Sequence, residues 1–289
     1  MYAPAYLPAN MTCYLTVARG GWYHLFMSFS LSCPEPPEAM RQAGFRFGDK
    51  GTHTSRTIML AELTELLAAV PADADRKAYA TAIIAENVLG KQTIATRRLT
   101  NQRLGELYGL DRRVALFRVL RCLWARDKAG LPLLALLCAL ARDPLLRVAA
   151  EPVLALPIGA ELVRTDFRNA IRETVGTRLN QAVLDKVARN AASSWTQSGH
   201  LQGRVRKIRK RVTPTPAALA MALWLGTLEG FAGQMLLESR WTRVLDRTNC
   251  ELLPLVLQAK RLGLIQARVG GGVIEIDASL LEPATAKAL

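Results

Sequence analysis

Cysteine, histidine and recognisable catalytic signatures are the three things this chain has little of. Its five cysteines, Cys13, Cys33, Cys122, Cys138 and Cys250, stand far apart, with no C-x-x-C pair and no histidine at zinc-ligand spacing. Neither a disulfide scaffold nor a zinc module is encoded, which fits a reducing compartment such as the cytoplasm. There are three histidines, His24, His53 and His200. No phosphate-binding G-x-x-x-x-G-K-[ST], no G-x-G-x-x-G, no H-E-x-x-H and no G-x-S-x-G occurs. Gly48-Asp49-Lys50-Gly51-Thr52 has the composition of a phosphate loop but the wrong spacing, and no apolar strand precedes it, so it reads as an ordinary loop. Asp49, Glu62, Glu86 and Asp166 are acidic, but no spacing among them argues for a metal-dependent nuclease. The expectation is a protein without a cofactor or catalytic residues.

What is present is positive charge. The 289 residues carry 38 Lys and Arg against 24 Asp and Glu, a formal charge of +14, while half the residues are apolar. Such an apolar fraction excludes wholesale disorder and suffices for one or two cores. The excess is concentrated. Residues 97–128 hold nine basic and three acidic residues, and residues 164–211 hold twelve and three. Clustered like charge destabilises a compact state, so an anionic partner such as a phosphate backbone is the natural reading, and a generally basic surface the bland one.

Three segments follow one another. Residues 1–39 are nearly uncharged and without amphipathic period, an irregular leader or the product of a translation start placed upstream of Met40. Residues 40–157 read as a helical bundle. Apolar spacing predicts helices from about Thr57 to Pro71, over 75–89, 94–108 and 111–126 with Asp111 as N-cap, and over 132–142 with Pro132 in the first turn. Residues 158–289 form a second helical part, with helices over 161–176, 177–192 and 249–262 and a polar break at 193–200. A β-hairpin closes it, its strands 264–269 and 273–277 joined by Gly270-Gly271-Gly272. A helix leading directly into a hairpin is the outline of a winged helix. The fold class expected is mainly α, with helix-turn-helix or winged-helix elements.

Within the second part, Arg204-Val205-Arg206-Lys207-Ile208-Arg209-Lys210-Arg211 places six cations in eight residues. Val205, Ile208 and Val212, three and four apart, would make one narrow apolar stripe of a docked helix from which the cations radiate. His200, just upstream, reads as a contact to backbone or phosphate, structural by default. The other basic segment offers Arg97, Arg98 and Arg103, with Arg112 and Arg113 behind them. Thr100-Asn101 is a candidate break of helix-turn-helix type, and Arg118 and Arg121 are equally placed to pair with carboxylates. Residues 217–237 are apolar with one charge, Glu229, and follow the cations as a positive-inside membrane span would. Glu229 and the glycines 226, 230 and 233 argue against lipid, and Gly226/Gly230 also suits close helix packing in a water-soluble core.

Ile84-Ala85-Glu86-Asn87-Val88-Leu89-Gly90-Lys91-Gln92-Thr93, then Ala95-Thr96-Arg97-Arg98 and Arg103-Leu104, resembles the BrxA family of BREX bacteriophage-exclusion systems, mainly over residues 55–210. The resemblance implies a cytoplasmic, largely helical DNA-binding accessory protein that acts beside other defence proteins, with Arg97 and Arg98 in its first helix-turn-helix element. The chain departs from the family pattern in its length, the 193–211 segment and the terminal hairpin. The combined expectation is a non-catalytic binder of double-stranded DNA, not membrane-bound. Docking of an acidic protein and binding of RNA are the alternatives.

Overall fold

The computed structural model describes residues 36–270 and 273–282. The leader expectation, apart from its last four residues, lies outside that range. The described chain is mainly helical: α1 Glu38–Ala43, α2 Leu60–Ala69, α3 Arg76–Ile84, α4 Ile94–Tyr108, α5 Ala115–Arg126, α6 Leu131–Arg142, α7 Pro144–Val148, α8 Ala150–Leu154, α9 Arg164–Val175, α10 Gln181–Gln197, α11 Pro216–Leu228, α12 Arg240–Arg243 and α13 Asn249–Arg261. Two antiparallel hairpins interrupt them, β1 Leu201–Gln202 with β2 Ile208–Arg209, and β3 Gln266–Gly270 with β4 Val273–Asp277.

Local chemistry sets several boundaries. The Thr93 hydroxyl accepts from the Thr96 amide and starts α4, which runs without interruption through Thr100 and Asn101. The expected break there is absent, because Thr100, Leu104, Leu107 and Tyr108 form a buried face along the helix. Asp111 does not cap α5. It takes the Arg113 guanidinium and amide, and the helix begins at Ala115. Helix α10 passes straight through the expected break at 193–200 as far as Gln197. Its Ser193, Ser194 and Thr196 hydroxyls each donate to the carbonyl four residues back, which removes their competition with the helical backbone.

Helices α6 and α11 form the centre. Residues 133–142 and 217–226 are buried on every side, α11 packing on α5, α6, α12 and α13. A helix apolar all round belongs in a core or a membrane. Among the described residues no helix is long and apolar enough to cross one. The apolar run expected over 217–237 breaks at Leu228, where Glu229 receives Arg240 in a half-buried ion pair. Gly226 admits the 233–238 turn, because a side chain there would meet Leu236 and Ser239.

Arginine closes the ends of these helices. The last four carbonyls of a helix lack intrahelical partners and carry partial negative charge. Arg121 donates to Leu67 and Val70 at the end of α2, Arg97 to Ile84 at the end of α3, and Arg142 to Gly105 and Glu106 at the end of α4. Arg147 serves Leu140 and Ala141 of α6, Arg209 serves Val153 of α8, and Arg178 serves Val175 of α9. Much of the cation excess is therefore internal to a helical protein with many short helices. Burial lowers the Arg147 guanidinium to about 10, still charged at neutral pH.

Candidate nucleic-acid interface

The run 204–211 is a hairpin, not the expected helix. Gly203, at φ +111, turns the chain where any side chain would collide with the Arg206 carbonyl. Residues 159–162 lie along the other side of β2: the Gly159 amide donates to the Arg209 carbonyl, Arg209 to Ala160 and Leu162 to Lys207, at 2.8 to 2.9 Å. The expected apolar stripe does not exist. Val212 is buried, Ile208 half-buried, and Val205 is 91% exposed. Six cations in a short helix would repel one another within a turn or two. The hairpin instead delivers three of them, Arg206, Arg209 and Arg211, to carboxylates from distant segments.

The ten candidate residues divide accordingly. Arg209 is buried and bidentate on Asp246, at 2.5 and 2.9 Å. His200, also buried, bonds Ser198 Oγ at 2.8 Å and the Val244 carbonyl at 2.7 Å, edge-on to Trp195. Burial pushes its imidazole down to about 4, so it is neutral at physiological pH and out of reach of phosphate. Arg206 holds Glu161, at 2.7 and 2.9 Å. Arg211 holds Glu251, and the Thr248 amide with this guanidinium keeps the Glu251 carboxyl down at about 2. Lys207 donates to Thr196 Oγ1 on α10 and to the Gly203 carbonyl, its ammonium lowered by desolvation. Arg103 pairs with Glu106, and Arg97 caps α3. Arg98, Arg204 and Lys210 are exposed, with no carboxylate partner among the described residues.

The geometry adds residues that periodicity in the basic segment left unnamed. Helices α9 and α10 are antiparallel, with Arg168 on Asp185 and Arg172 on Gln181. Extending that register by one helical turn aligns the position of Arg164 with that of Arg189, and both residues are exposed. On α10, Arg189, Ser193 and Thr196 share a face, and Thr196 is where Lys207 of the hairpin lands. Residues 159–162 then run directly into Arg164. Hairpin, α9 and α10 thus form one bonded unit whose exposed cations include Arg164, Lys186, Arg189, Arg204 and Lys210. The i, i+4, i+8 spacing of Arg164, Arg168 and Arg172 was the available signal. The 97–128 segment does not join it: α4 packs on α3, α6 and the 52–54 turn, with no substantial contact to α9 or α10.

A second constellation was invisible in the sequence. His53 Nδ1 lies 2.7 Å from Asp143 Oδ2, and His53 Nε2 lies 2.8 Å from Ser194 Oγ. These are the residue types and distances of a hydrolase charge relay. All three are fully buried, however, and the hydroxyl is already engaged, accepting from the Ile58 amide at 3.0 Å and bonded to the Asn190 carbonyl at 2.9 Å. Asp143 also caps α7 through the Leu145 and Leu146 amides. Although burial raises it, the His53 ring, the Leu146 amide and the His53 amide together hold its carboxyl below the usual range. With no room for a carbonyl at Ser194, the set is a polar bracket joining the 52–54 turn, α7 and α10. Asp49 and Glu62, two of the four acids considered for a metal, pair with Arg178 and Lys91. Among the described residues no three ligating side chains converge. No family model and no curated protein matches the chain.

Proposed function

We propose that this protein is a non-catalytic accessory factor that binds double-stranded DNA through backbone phosphates, using the exposed cations of the hairpin–α9–α10 unit. The observation that carries the reading is that Arg164, Lys186, Arg189, Arg204 and Lys210 stay exposed and, among the described residues, without carboxylate partners on one bonded unit, while most of the described arginines are neutralised or cap helices. The resemblance of residues 84–104 to BrxA supports a role beside other proteins of a BREX-like phage-defence system in the cytoplasm. Phosphate contacts position a duplex without specifying its sequence.

The order α11, α12, α13 and then the β3–β4 hairpin, with the 233–238 turn against β4, supports reading this corner as winged-helix-like. Its α13 presents Pro254 and Leu257 outward, and its one acid near the start, Glu251, is committed to Arg211. We assign this corner to protein contact rather than to the groove.

The test is a salt titration of duplex affinity with Arg164, Arg189, Arg204 and Lys210 changed to Ala together. If all four meet phosphates, the wild-type slope of log affinity against log salt is steeper than the variant's by about 3 to 4. Equal slopes overturn the reading. Equal competition by polyglutamate would favour an acidic protein partner, and preference for a hairpin RNA of equal charge would favour RNA.

A further inference from the structure

The hairpin tip is more rigid than a charged loop needs to be. Gly203 sits at φ +111 against the Arg206 carbonyl, Lys207 Nζ donates to the Gly203 carbonyl at 3.3 Å, and Arg206 is clamped on Glu161 from the neighbouring segment. The Leu162 amide donates to the Lys207 carbonyl at 2.8 Å on the far side. Both flanks are tied down, and what the tie leaves projecting is Arg204 and Val205. Val205 is the most exposed large apolar side chain described, at 91%. A lone surface valine is unremarkable in a mobile loop. Here it is held out on a tied turn, next to Arg204, which has no carboxylate partner among the described residues, on the same bonded unit as α9 and α10.

We propose that Val205 is an apolar wedge that enters between two stacked base pairs of a bound duplex from the minor groove, with Arg204 beside it in the groove, and so kinks the DNA. The inference rests on the duplex-binding reading above and goes beyond it, since phosphate contact alone leaves the stack intact. Proteins that insert apolar side chains in this way bend DNA by about 20 to 90° and prefer steps that unstack easily. Pre-organisation matters because a wedge that must first be ordered loses part of what insertion gains. A lipid surface is the other target for an apolar tip among cations, but one valine buries too little surface to hold a membrane.

The experiment uses the full chain and a duplex carrying 2-aminopurine at a central TA step, with donor and acceptor dyes on the ends. Expected on saturation with wild type is a severalfold rise in 2-aminopurine fluorescence and a shorter end-to-end distance. Val205→Ser, at a position too exposed to affect folding, is expected to keep the salt slope and lose both signals. If wild type binds with the salt dependence of phosphate contacts but leaves the base stacked and the duplex straight, the wedge is wrong and the phosphate reading stands. Equal signals from Val205→Ser also overturn the wedge. Failure of wild type to bind any duplex removes both readings. Binding of wild type but not Val205→Ser to phosphatidylserine vesicles reassigns the tip to membranes.

Discussion

The two hairpins among the described residues handle charge in opposite ways. In β3–β4 the pairing is local: Arg268 stands across from Glu275, 3.7 Å away and mostly exposed, while Ala267 and Ile276, also paired, turn their side chains into the core. In β1–β2 the ion pairs are all distant. Arg209 reaches Asp246, Arg206 reaches Glu161 and Arg211 reaches Glu251, each at least 35 residues away in the chain. Asp246 itself takes the left-handed conformation, φ 53, to present both oxygens to Arg209 and accept the Val212 amide. A hairpin whose charges cancel across its own strands is closed electrostatically. One whose charges are met from elsewhere can be held rigid while leaving chosen cations unmet.

Breaking the buried pair should have the largest effect. Arg209→Ala leaves the largely buried Asp246 carboxylate with only the Val212 amide, and the Val153 carbonyl of α8 without its donor, for a loss of about 3 kcal/mol in urea unfolding. Substituting Arg209 with its neighbours is therefore a poor test of DNA binding, since folding would fail with it. The next effect is a pH dependence. His200 titrates near 4 when folded and near its ordinary 6.5 when unfolded, so between those values the unfolded chain binds more protons. Its contribution is whole above pH 6.5 and is lost as pH falls toward 4, about 3 kcal/mol at the limit. Urea midpoints at pH 7 and 4.5 read this, and His200→Gln should flatten the difference.

Gly203→Val sharpens the comparison at the tip. It should cost about 1–3 kcal/mol, because the positive φ and the Arg206 carbonyl leave no room for a side chain. Thermal unfolding measures it, and an unaltered melting temperature would show the turn is less constrained than described. Arg268→Ala and Glu275→Ala in the other hairpin should be nearly silent, within about 0.5 kcal/mol, as exposed pairs generally are. A larger loss would remove the contrast between local and distant neutralisation.

The terminal hairpin was legible in the amino-acid order because its determinants are neighbours: β-branched alternation on both sides of a glycine turn. So were the bounds of α4, which stops before Gly109, though not its unbroken course through Thr100 and Asn101. The basic hairpin was not, since its strands are two residues long and depend on residues 159–162 and Asp246. The spacing of Val205, Ile208 and Val212 fits a helix equally well, and no local rule distinguishes the two. Of the candidate interface, Arg98, Arg204 and Lys210 are exposed. His200 and Arg209 are interior, and Arg164 and Arg189 emerged only from the α9–α10 register. The His53–Asp143–Ser194 bracket spans 141 residues and had no sequence signal at all.

Composition and periodicity alone determined that the chain is helical, rich in cations within two segments and poor in catalytic signatures, because those properties depend on each residue and its near neighbours. Which cations close helix ends, which are neutralised and which remain for a partner was decided only by the tertiary structure. The carbonyls and carboxylates that meet them come from residues tens of positions away, and electrostatic pairing acts through space, not along the chain.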